Sequence, residues 1–228
     1  MKPSRASLSF PGLCVLLFVA NGLVASCSST SSSLGPGKTD GPWLVPSPTL
    51  QSQIDENAKR LPWTHGVERV QLIQWFAGIG EPAYTTLLKM IQDPRGDVAG
   101  SAYAALGATR DARLVEAIHA VPASAGGGDV DLKYERARTL LRLGDYSVVP
   151  QLISGLRDER SLTRALCSQA LIEATHENFQ FDPRGEDAAR EEAVRRWESW
   201  WNTRQADPLL SGPKPEGTKS EAAKPESK

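Results

Sequence analysis

The run Val149-Pro150-Gln151-Leu152-Ile153-Ser154-Gly155-Leu156-Arg157-Asp158 decides the fold, together with its continuation Glu159-Arg160-Ser161-Leu162-Thr163-Arg164-Ala165-Leu166-Cys167-Ser168-Gln169-Ala170-Leu171. Val149, Leu152, Ile153 and Leu156 recur at the spacing that places residues on one face of an α-helix. A charged break at Asp158-Glu159-Arg160 follows. Leu162, Ala165, Leu166, Ala170 and Leu171 then line a second helical face. Two short amphipathic helices cannot cover their apolar faces alone, so the pair needs neighbours.

Neighbours are written upstream in the same form. Ile79-Gly80, Leu106-Gly107 and Leu143-Gly144 each join an apolar residue to a glycine, which suits the left-handed backbone just past a helix C-terminus. Leu171-Ile172 is a fourth copy without the glycine. The leading residues are 27, 37 and 28 positions apart, and the long interval holds the insertion Ala123-Ser124-Ala125-Gly126-Gly127-Gly128. Each interval carries two helical stripes. The first holds Ala83, Leu87, Leu88 and Ile91, then Val98, Ala102, Ala105 and Leu106. The second holds Leu114, Val115 and Ile118, then Tyr134, Ala137, Leu140 and Leu141. Residues 50–60 and 63–80 read as an incomplete first unit that covers the open end, with Val67, Val70, Ile73, Phe76 and Ala77 as its stripe. No segment alternates apolar and polar residues, so the expectation is all-α with almost no strand.

Paired helices repeating every ~30–40 residues form an α-solenoid. Val149-x-x-Leu152-Ile153-x-x-Leu156-x-Asp158, followed by Arg164-x-x-x-x-x-Ala170-Leu171, resembles a HEAT repeat in its short bacterial form, and the resemblance extends over residues 65–176. It implies a short right-handed α-solenoid of HEAT-like helix pairs. It also implies that an Asp ending the first helix and an Arg six residues on line the seam between repeats and often pair. Asp158 and Arg164 fit that pattern. Asp93 is followed by Ala99 instead of Arg, and Arg136 lacks the preceding Asp.

The C-terminal module, Asn178-Phe179-Gln180-Phe181-Asp182-Pro183 and then Trp197-x-x-Trp200-Trp201, resembles the ending of many bacterial HEAT-repeat proteins. Ala189, Ala193, Trp197 and Trp200 share one helix face, which reads as a hydrophobic cap with Trp201 the more exposed of the adjacent pair. The alternative is an aromatic surface that stacks on sugar rings.

The first 26 residues read as a secretory signal: basic Lys2 and Arg5, the apolar run Leu13 to Ala20, then small residues. Val24-Ala25-Ser26-Cys27 resembles the lipobox of bacterial lipoproteins. That implies acylation of Cys27 and retention at a membrane, and Ser28 after it implies outer-membrane sorting facing the periplasm. An ordinary secretory signal cut after Ser26 is the alternative. Residues 27–48 are rich in Ser, Gly and Pro and read as a flexible tether reaching roughly 25 Å. Residues 49–205 form the body, and residues 206–228 read as a disordered tail.

Composition excludes several classes. The chain has 26 Lys+Arg against 27 Asp+Glu, and removing residues 1–26 takes away two bases and no acid. A near-neutral mature chain argues against nucleic-acid binding. Three scattered Cys make neither a disulfide framework nor a zinc site. Gly37-Lys38-Thr39 imitates the end of a phosphate loop, but Ser32 stands where that motif needs glycine. His65, His119 and His176 fall in separate elements, so no metal site is expected and no cofactor or small-molecule substrate is indicated. Cys167 reads as a packed apolar residue. Arg136, Arg138, Arg142, Arg160 and Arg164 gather on the later repeats. Arg138 and Arg142 project together at i, i+4. With Trp201 they are the candidate interaction surface for a protein partner, against the alternative of a solvated mixed-charge face. The expectation is a membrane-anchored, non-catalytic interaction or assembly module on the bacterial cell envelope. Two rivals stand beside it: a lyase-type enzyme, by likeness to the HEAT-like lyases that attach bilins, and cell-wall glycan binding through the C-terminal aromatics.

Overall fold

The structure is a computed structural model and describes residues 42–122 and 130–206. The signal, Cys27, most of the tether, the Gly126-Gly127-Gly128 insertion and the tail from residue 207 lie outside the described residues. Among the described residues the chain is all helical: α1 Pro48–Arg60, α2 Gly66–Ile79, α3 Tyr84–Met90, α4 Gly96–Thr109, α5 Leu114–Ala120, α6 Val130–Arg142, α7 Val149–Gly155, α8 Ser161–Thr175 and α9 Asp187–Ala206. No strand forms among them, and no described helix is long and apolar enough to cross a membrane.

Local sequence explains the helix ends. Ser47 caps α1, its Oγ accepting from the Leu50 amide, with Pro48 in the first turn and Lys59 and Arg60 in the last. Gly80 and Gly144 take positive φ (69° and 96°) just past α2 and α6, as glycine permits. Gly107 does not end a helix, because α4 runs on to Thr109 and Arg110 takes the left-handed position. A β-carbon at Gly107 would stand 3.3 Å from Thr139 Oγ1 and 3.4 Å from Thr139 Cα. Its smallness therefore lets α4 and α6 close on each other. Leu171-Ile172 is likewise interior, and α8 ends at left-handed His176.

The even helices pack in series, α2 on α4, α4 on α6 and α6 on α8. α3 packs on α4, α7 on α8, α1 on α3, and α9 on α7. One core runs through these layers, with Ile54, Phe76, Leu87, Leu106, Leu114, Leu152, Leu171 and Trp197 among its fully buried side chains.

Two stripes differ from expectation. In α2, Leu72 and Phe76 point inward, whereas Val67 and Val70 are 75 % and 50 % exposed. α2 is first in its row among the described residues, and its far side stays exposed. In α8, Leu162 is 79 % exposed, and the inward face carries Thr163, Arg164, Cys167, Ser168, Ala170 and Leu171. Small or bonded polar residues let α8 approach closely there, which a count of large apolar side chains misses. The last tether residues also join the body. The Trp43 indole stacks edge-on against Tyr84 at 5.1 Å, and the Leu44 amide donates to Glu81 Oε1 at 3.2 Å.

Candidate functional site

The candidate arginines lie on α6 and face α8. Arg142 donates to Glu173 Oε2 from Nη2 at 2.6 Å and from Nε at 3.1 Å. Arg138 Nη2 stands 3.7 Å from Glu173 Oε1, and its Nη1 stands 3.9 Å from Glu135. Both guanidiniums are thus matched by acids, and the Arg138 Nε is buried with no partner. Burial is the largest single influence on Glu173 and opposes its ionisation, but the bond and charge of Arg142, the charge of Arg138 and the bond from Gln169 together outweigh it and hold the carboxyl below its usual range.

The same device recurs along the row. Arg69 reaches from α2 to Asp97 at 2.8 Å. Between α6 and α8, Arg160 and Thr163 both donate to Asp131, at 2.9 and 3.0 Å. Between α4 and α6 the bridge is neutral: the Thr139 hydroxyl donates to the Tyr103 carbonyl at 2.8 Å. On the other layer Arg113 reaches Glu81, and Arg157 is held by Glu191 and Glu198. Single exposed pairs contribute little, so these bridges set the register of neighbouring helices more than they add stability.

Glu135 is the exception among the carboxyls. Burial raises its pKa above the ordinary value of 4.5, and Arg138 and Arg142 offset that only partially. A raised folded-state pKa means that the ionised side chain opposes folding near neutrality. Glu135→Gln should therefore raise the melting temperature at pH 7. The gain should shrink as the pH falls and vanish below about pH 4, where the acid is protonated folded and unfolded alike. Melts of both proteins from pH 3.5 to 7.5 check this.

Arg164 does not pair with the Asp158 carboxylate, as the HEAT pattern implies. It donates to the main-chain carbonyls of Asp158, Glu159 and Pro183, each at 2.8 Å. The Asp158 carboxylate instead accepts from the Arg160 amide and Nε. Arg136 does the equivalent in the preceding helix pair, reaching the carbonyls of Val121 at 2.9 Å and Ile118 at 3.0 Å. No Asp is needed, because the acceptors are main chain.

In the C-terminal module Trp197 is fully buried, with Phe179 edge-on at 4.7 Å and Trp200 at 5.6 Å. Trp200 and Trp201 are both half-buried, so the ring at the centre of the cap is Trp197, not Trp200. Ala189 is exposed, and Val194 takes an inward place instead. Trp201 lines a groove of about 420 Å³ with Pro150, Ile153, Arg157, Glu198 and Asn202, and its indole nitrogen is buried without a partner.

One pair was invisible in the sequence. His119 Nε2 and Asp145 Oδ2 lie 2.7 Å apart, from positions 26 residues distant. Burial opposes ionisation of Asp145, but bonds from Ser147 and His119 hold its carboxyl below its ordinary range. Cys167 is buried among Gly155 and Tyr134, and burial pushes its thiol up to about 12, so it stays protonated and unreactive near neutral pH. Among the described residues no cluster of three His, Cys, Asp or Glu is placed to hold a metal ion. Comparison with protein-family models, curated proteins and solved structures finds no match to this chain.

Proposed function

We propose that the chain is an exported lipoprotein, acylated at Cys27, whose body is a short HEAT-like α-solenoid serving as a non-catalytic interaction or assembly module at the cell envelope. The serial packing of α2, α4, α6 and α8 is the observation that carries this reading. In a solenoid each helix pair touches its neighbours and the stacked helices offer a long surface for a partner. Arg164 and Arg136, each tying a second helix to the carbonyls that end the first, add a repeated internal joint at equivalent places. α9 lies on α7 and brings the Trp197 cap to the far end, which suits an array that must close its last apolar face.

The partner surface on this reading includes the matched charges Arg138, Arg142 and Glu173 and the groove beside Trp201. A photoreactive residue at position 142 or 201 should form a discrete protein adduct in membranes. Adducts with glycan alone would favour the glycan reading, and no protein adduct at either position would reject this surface. The anchor has its own test. Cys27→Ala should abolish incorporation of a clickable fatty acid and release the mature chain or leave the precursor uncleaved. Equal labelling of wild type and variant would reject acylation at Cys27.

A further inference from the structure

The exposed large apolar side chains are concentrated near the start of the body. Trp63, on the turn into α2, is 81 % exposed, and Val67, Val70, Leu44 and Val45 are each at least half exposed. Leu162 alone is comparable elsewhere among the described residues. Val67, Val70, Gln71, Gln74 and Gly78 on α2 are all exposed and uncharged, and the exposed Glu68 at their edge is paired with Arg60 at 2.9 Å. A helix face that only meets water normally carries charge, as α9 does with Glu192, Arg195 and Arg196. A face without unpaired charge costs less to desolvate than a charged one, and α2 is the first of its row among the described residues.

We propose that this face rests on the lipid bilayer. The inference depends on Cys27 carrying the acyl anchor. Cys27 and Pro42 are then 15 residues apart in sequence, at most ~50 Å when fully extended. The body never leaves the bilayer's vicinity, so the second contact is intramolecular and a weak one suffices. The area fits that role. Trp63, Val67 and Val70 together expose on the order of 350 Å² of apolar surface. That is under half of the ~800 Å² each partner buries in a standard protein interface, too little to hold a second copy of the chain. Trp is the side chain that concentrates at the membrane–water boundary. Lys59 and Asp55 line a groove with Trp63, and Arg95 in the same groove is held by the Asp93 carboxylate at 2.7 Å, so the charges around the ring are largely balanced.

The test uses the full lipidated chain reconstituted in phosphatidylethanolamine–phosphatidylglycerol vesicles, with and without brominated acyl chains. Flotation with the vesicles reports the anchor, and tryptophan quenching reports the face. The chain has six Trp, so brominated lipid should remove about one ring's share of the emission, and Trp63→Phe should abolish most of that loss. The double surface variant Val67→Gln, Val70→Gln should weaken the quenching while melting like wild type. Equal quenching in wild type and Trp63→Phe, in protein that floats, would overturn the proposal. So would iodide reaching Trp63 as readily in vesicles as in detergent. Concentration-dependent shielding of Trp63 in detergent would assign the face to a second copy instead and also overturn it. Failure to float has a separate signature: it removes the anchor reading, and this inference with it.

Discussion

Trp197→Ala should destabilise the body by ~3–5 kcal/mol, the range for emptying a fully buried large aromatic site. That is a large share of the ~5–15 kcal/mol that holds an ordinary domain folded. Trp197 is 0 % exposed, with Phe179 edge-on to one side of it and Trp200 to another. Both rings lose their contact when the indole goes, and the void lies between α9 and the layers beneath it. Trp200→Ala should cost clearly less. Its ring is half-buried, and one of its neighbours is the Arg204 guanidinium, 5.4 Å from the ring centroid. Thermal or urea melts of the two variants decide the order. Equal midpoints, or a larger loss for Trp200→Ala, would mean that the centre of the cap lies elsewhere. If Trp197→Ala melted like wild type, the module would be a surface for a ligand and not a cover for the core.

The fold class was legible because helical periodicity survives in almost every segment. Ala83, Leu87 and Ile91 are buried as their spacing requires, and so are Val148, Val149, Leu152, Ile153 and Leu156. Periodicity identifies a stripe but does not say which stripe faces the core. In α2 the expected stripe Val67, Val70, Ile73, Phe76 and Ala77 is split: Phe76, with Leu72, is buried on the side of the row that α4 continues, and Val67 and Val70 are exposed. Glycine was ambiguous for a similar reason. Gly80 and Gly144 mark helix ends through positive φ, whereas Gly107 sits within α4 to let Thr139 come close. The letter is the same and the cause differs. Arg138 and Arg142 were legible as a pair, but their partner Glu173 lies 31 residues beyond Arg142 on another helix, and no local pattern points to it. His119 and Asp145 meet across the inserted loop for the same reason.

Arg164→Met should cost roughly 2–3 kcal/mol, because it removes a charged donor from three part-buried main-chain acceptors at once. Arg164 is only 8 % exposed, and its fork joins three main-chain carbonyls: Asp158 and Glu159, which follow the first helix of its pair, and Pro183, which begins the approach to α9. Met keeps the bulk of the stem and supplies no donor, so the loss measures the bonds and not a cavity. Hydrogen bonds from a charged donor contribute roughly 1.5–3 kcal/mol, and water replaces part of that at acceptors that are only part-buried. Arg164→Lys should recover less than half of the loss, because a single ammonium cannot span acceptors that lie on opposite sides of a planar guanidinium. The damage should also be local in a way that a simple packing defect is not. Pro183 leads directly into the turn in which the Arg184 and Gly185 amides bond to Asp182. Releasing Pro183 should speed hydrogen exchange at those two amides before the core helices α4 and α6 are affected. Arg136→Met should lose less, since the Arg136 side chain is only half-buried and water can replace more of what it gives. Unchanged melting and unchanged exchange at Arg184 and Gly185 in Arg164→Met would show that the carbonyl bonds do not hold this joint.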